Sequence, residues 1–69
     1  MKRRVVPVLF WVCRDEEEVR WLVTVEDLAY GEYLSEELAI LDAIDLANDA
    51  RMGGDIAEVW HRETSARLY

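Results

Sequence analysis

The spacing of hydrophobic positions changes along this chain, from an unbroken run to a period of two and then to a helical period. Residues 5–13 (VVPVLFWVC) carry no charge and are rich in Val, Leu, Phe and Trp, the side chains that suit a strand. The run is too short for the ~20 apolar residues of a membrane span. Pro7 cannot donate to a ladder, so regular pairing starts after it or Pro7 lies on an edge. A charged segment, Arg14 to Glu18, follows. Val19, Trp21, Val23 and Val25 then alternate with Arg20, Leu22, Thr24 and Glu26, a period-two pattern with one apolar face. Two such runs across a polar loop predict a β-hairpin, although no Asn-Gly pair fixes its register. Residues 27–34 (DLAYGEYL), with Gly31 and two tyrosines, predict a short third strand or a bulged edge.

The period becomes helical after Ser35, a good N-cap, with Glu36 and Glu37 placed where the helix dipole favours negative charge. The helix is expected to run to Arg51 or Met52 and to stop at Gly53-Gly54. Ala39, Ile40, Ala43, Ile44, Leu46, Ala47 and Ala50 share one face, with alanines small enough to let the helix lie close to a sheet; Asp42, Asp45 and Asp49 fall opposite. Residues 56–62 (IAEVWHR) predict a last strand anchored by Val59 and Trp60. Residues 63–69 either turn back or extend the sheet. The whole, residues 1–69, reads as one small α+β domain of order ββ(β)αβ: an antiparallel sheet of three to four strands with one helix on one face.

One helix covers only one face of a sheet. The other face is expected to carry alternate residues of the first run, Leu22 and one side chain of the last strand, which makes Val8, Phe10, Val12, Leu22 and Trp60 the candidates for an apolar interface. Such patches mark association, and a homodimer packing sheet on sheet or exchanging a strand is the simplest closure.

Charge narrows the partners. With 15 acidic against 8 basic residues the chain has a formal charge of −7, which repels a phosphate backbone and argues against nucleic acid. Lys2-Arg3-Arg4 before the apolar run imitates a signal peptide, but the acidic residues that follow offer no small-residue cleavage site. Neither secretion nor a membrane is expected. Cys13, the one cysteine, cannot form an internal disulfide and suits a reducing cytoplasm.

No set of residues carries a catalytic, cofactor or metal signature, so the chain is expected not to be an enzyme and to need no cofactor. His61 and Glu63 share a strand face and form a conceivable acid–base pair, but a half-exposed strand histidine bonded to a neighbour explains His61 as well. Asp42, Asp45 and Asp49 are candidates for docking a basic protein partner; the alternative is a solvated face that keeps an apolar protein in solution. Trp11, Trp21 and Trp60 suit core or interface packing. Gly53-Gly54 follows a helix rather than preceding one, the wrong order for a phosphate cradle.

Trp21-Leu22-Val23, the Ser35-capped helix with Ala39-Ile40, Ala43 and Ala47, and the ending Val59-Trp60-His61 together resemble a family of small bacterial ββαβ proteins of unknown function. The resemblance spans residues 8–65. It departs at Cys13, where that family has proline, and at Thr64-Ser65-Ala66, where it has glycine after the histidine. It implies a fold and no activity. A looser likeness is to antitoxin domains with a partial double-stranded-RNA-binding-like fold, whose acidic surface helps neutralise a basic toxin. That likeness implies a regulatory protein with a basic protein partner.

Overall fold

The computed structural model describes residues 6–17 and 19–69. Val5, the first residue of the opening apolar run, lies outside them. Five strands, β1 (Val8–Asp15), β2 (Arg20–Val25), β3 (Leu28–Tyr33), β4 (Ala57–His61) and β5 (Ala66–Arg67), and one helix, α1 (Glu36–Met52), follow in the order βββαββ. They form one sheet, β3-β2-β1-β4-β5, with the helix on one side. The fold is α+β with the helix packed on the sheet.

Two expectations about the sheet are corrected. It is mixed rather than antiparallel, because β1 pairs with β4 in parallel. The helix carries the chain from β3 across β2 and β1, so β4 starts beside Val8 and runs alongside β1 in the same direction. There are five strands, because the C-terminal residues turn back and pair Ala66 and Arg67 with His61 and Trp60.

The first hairpin extends further than its composition suggests, since β1 continues through Arg14 and Asp15, opposite Trp21 and Arg20. The second hairpin turns on two residues, Glu26 and Asp27, with φ of 51° and 65°. Two-residue hairpin loops need left-handed backbone at both positions, where Asn-Gly is the favoured pair. Here two acidic side chains occupy them. β3 is bulged, with Val23 opposite Gly31 and Thr24 opposite Ala29, so Tyr30 is the extra residue.

The helix begins and ends where its caps place it. The Ser35 hydroxyl accepts a hydrogen bond from the Leu38 N–H, and the Gly53 N–H bonds back to the Asp49 and Ala50 carbonyls. Ala39, Ala43 and Ala47 have no exposed surface; with Phe10, Val12, Val23, Ala57 and Val59 they form the core. Methyl side chains bring the helix axis close to the sheet, so the valines on the strands fill the remaining space. Ile40, Ile44, Leu46 and Ala50 pack on its flanks.

Side-chain contacts at three points fix the helix on the sheet. At its start, His61 Nε2 lies 3.0 Å from Glu36 Oε2. In the middle the Tyr33 hydroxyl donates to Asp42. At its end the Arg51 Nε–H donates to the Ala57 carbonyl at 2.9 Å, and the guanidinium lies 4.1 Å over the Tyr69 ring.

Ala43→Leu is expected to destabilise the fold by about 1–3 kcal/mol, because the added atoms must be accommodated where Ala43 is already fully buried against the strands; urea unfolding measures it. Replacing Glu26→Asn together with Asp27→Gly is expected to stabilise the fold by about 1 kcal/mol, since the turn then matches its backbone. The same denaturation, at protein concentrations low enough to keep the chain dilute, checks the sign.

Candidate interaction surface

Directly paired residues of neighbouring strands share a face of the sheet. Phe10 is opposite Val25, and Val12 is opposite Val23 and His61. Phe10 and Val12 are buried in the core beneath the helix, and Val8 packs against it. The expectation that Val8, Phe10 and Val12 line the open face is therefore corrected. They lie on the helix side, and the opposite parity of β1 faces away. Leu22, opposite Cys13, and Trp60, opposite Trp11, do lie on the open face.

The open face is therefore built from Leu9, Trp11 and Cys13 of β1, Leu22 and Thr24 of β2, and Trp60 of β4. All are only partly buried, because no second layer of the described residues covers them. Trp11 and Trp60 stand side by side, ring centroids 5.9 Å apart and planes inclined by 37°. Indoles at this spacing make an apolar platform at the middle of the sheet. Residues 5–13 alone do not reveal which parity faces out, since every position is apolar. The missing signal is the register with β2, and a one-residue slip exchanges the two faces completely.

Charge on this side is arranged in local pairs. Arg20 Nη1 lies 2.9 Å from Glu32 Oε2, and Arg67 Nη1 lies 3.7 Å from Glu58 Oε2. Glu58 also accepts from the Trp60 indole N–H at 2.9 Å. The Arg62 guanidinium sits 4.9 Å over the Trp11 ring. A cleft of about 250 Å³ opens at the other end of Trp11, lined by Leu9 and the Val6–Pro7 segment together with Glu26 and Asp27. The helix is different in balance, with five carboxylates and one arginine.

The three aspartates of the helix are not equivalent. All three are exposed, and Asp42 alone of them accepts a hydrogen bond from the Tyr33 hydroxyl. Leu38 and Leu41 also point outward, 53% and 62% exposed, so this face mixes apolar and acidic side chains rather than presenting carboxylates alone. Desolvation, followed by the hydrogen bond to Asp42 and its charge, pushes the Tyr33 phenol up to about 12.

His61 is not a half-exposed strand residue. It is 8% exposed, with Trp21 edge-on at 5.8 Å, Glu36 at 3.0 Å and Glu63 Oε1 3.7 Å from Nδ1. The Arg14 N–H holds the other Glu63 oxygen at 3.2 Å. Glu63 does not share a strand face with His61, because β4 ends at His61 and Glu63 lies in the turn that follows; its carboxylate still approaches the ring, which is packed between helix and sheet with its Nδ1 buried and without a hydrogen-bond partner. These contacts join the start of the helix to the end of β4. Burial pushes the Cys13 thiol up, outweighing the nearby Arg62 guanidinium, so it is poorly disposed to act as a thiolate nucleophile. Among the described residues no three His, Cys, Asp or Glu side chains are grouped to hold a metal ion. No described helix is long and apolar enough to cross a membrane.

No protein-family model, curated protein or solved structure matches the chain.

Because the folded-state pKa of Tyr33 is raised, the unfolded chain ionises first as pH rises from about 10 to about 12. The stability contributed by the phenol is complete below that window and falls through it. Denaturation curves are expected to show a steeper loss of stability across this range for the wild type than for Tyr33→Phe.

Proposed function

We propose that this chain is a non-enzymatic, homo-oligomeric interaction module whose open sheet face is its self-interface and whose acidic helix faces outward. The observation that carries the proposal is the uncovered apolar centre of the sheet, Leu9, Trp11, Leu22 and Trp60, opposite a helix that covers only the other side.

Two further features favour face-to-face association over edge pairing. The β3 edge is bulged, and the β5 edge has two residues, one of them Arg67; short, bulged and charged edges resist strand addition. A net charge of −7 opposes self-association except where charge is locally balanced. The ion-paired open face is such a place, and the helix face is not. Dimers built this way leave the carboxylates in solvent, where they favour dispersion. A cytoplasmic setting agrees with the single unpaired cysteine.

A second reading has its own observation. Leu38 and Leu41 stand exposed beside Asp45 and Asp49, a combination that suits a basic protein partner with apolar anchors and would make the chain a regulatory, antitoxin-like binder. The two readings use opposite sides of the molecule and separate by mutation.

Sedimentation velocity at high micromolar concentration is expected to show a dimer that Trp11→Glu or Leu22→Lys converts to monomer with unchanged far-UV circular dichroism. Leu38→Ser with Leu41→Ser leaves that dimer intact. A wild-type chain that sediments only as a monomer sinks the reading.

A further inference from the structure

The open face is not symmetric from end to end, and its asymmetry specifies how a second copy fits it. Arg62 follows β4, and its backbone N–H bonds to the Val12 carbonyl, so its base is level with the far half of β1. Its guanidinium leans back over Trp11, and among the described residues it forms no ion pair with a carboxylate. Glu26 and Asp27 lie at the opposite end, level with Val8 and Leu9, on the cleft that Trp11 also lines. They too form no ion pair among the described residues. Of the other open-face ionic groups, Arg20 is paired with Glu32 and Arg67 with Glu58, while the Asp15 carboxylate accepts from the Glu17 N–H.

One cation, which lies over the Trp11 ring and beside Cys13, and two carboxylates with no ion pair among the described residues thus reach the same indole from opposite ends. Along the strand direction the backbone of Arg62 and that of the turn are roughly 15 Å apart, four to five residues at ~3.3 Å each, with Trp11 near the midpoint. A two-fold axis lying between two facing sheets and crossing near Trp11 turns the second copy end for end. It sets each arginine against the acidic cleft of the other chain, so both contacts form at once, as an isologous interface requires. Packing with the strands in the same sense would instead bring Arg62 near Arg62 and the acidic turns near each other.

We infer that two copies pack through their open faces end for end about Trp11, with Arg62 of each chain seated at the Glu26–Asp27 cleft of the other. The inference rests on the self-association reading and adds its register. The apolar platform supplies the area, and the reciprocal arginine–carboxylate contacts select one orientation, the role in which interfacial charge is most effective. An arginine fits this cleft better than a lysine, because its flat guanidinium stacks on an indole while donating to two carboxylates. The acidic turn is then understandable: a left-handed pair that would fold more readily as Asn-Gly holds the two charges where the partner's cation arrives.

The test mixes two chains that each dimerise weakly on their own. Arg62→Glu is expected to weaken the homodimer by about tenfold or more, because both contacts become repulsive. Glu26→Arg with Asp27→Arg is expected to weaken it by a similar factor for the same reason. When the two variants are mixed, each mutant site faces an opposite charge, and heterodimers are expected to form with an affinity within about threefold of wild type, since separated contacts combine additively. Sedimentation equilibrium of the separate and mixed chains reads all three, and circular dichroism of each chain confirms folding. If the single variants dimerise like wild type, or if mixing restores nothing while Trp11→Glu still abolishes the dimer, the register is overturned and face-to-face association stands. If the wild-type chain is monomeric throughout, the association reading itself has failed. Arg62→Lys provides a milder variant, expected to keep the fold and lose severalfold in affinity with the planar fork.

Discussion

A sheet has two faces, and among the described residues the only helix lies on one of them, so the distribution of everything else follows from which side chains it covers. The valines and Phe10 that meet Ala39, Ala43 and Ala47 form the core, and a chain of this size has little else with which to build one. What the helix does not reach is left with two indoles and two leucines at its centre. The surface that remains apolar is a direct consequence of having one covering layer for five strands.

The alanine seam also explains why polar contacts surround the core rather than enter it. With the helix so close to the sheet, the fully buried side chains between them are alanines and valines, and positional control passes to the periphery. Glu36 with His61, Asp42 with Tyr33, and Arg51 with Ala57 and Tyr69 hold the start, middle and end of the helix. His61, which as a lone histidine invites a catalytic interpretation, is accounted for as part of this frame. Two carboxylates approach an imidazole wedged against Trp21, an arrangement that orients the helix over the sheet.

Charge is segregated between the two sides. The helix carries an excess of carboxylates, whereas on the sheet face Arg20 and Arg67 are paired across strands with Glu32 and Glu58. For a molecule this acidic, such segregation leaves one surface on which a second copy meets little net repulsion. The same segregation makes the helix the side on which a cationic protein would be attracted, with Leu38 and Leu41 available for contact.

Local pattern carried most of the fold. The cap at Ser35, the stop at Gly53 and the alanine rhythm fixed the helix to its observed ends, because helix signals lie within a few residues of one another. The alternation of Trp21, Val23 and Val25 identified the covered face of β2 for the same reason. Sequence also determined that some face would stay open, since one helix was evident and every position of residues 5–13 was apolar. Only the tertiary structure decided which residues form that face. Parity in an unbroken apolar strand is set by its register with β2, a relation between segments that neither segment contains. The parallel pairing of β4, the burial of His61 and the placing of Arg62 and the Glu26–Asp27 turn at opposite ends of Trp11 are likewise products of long-range pairing, and these are the features on which the proposed assembly depends.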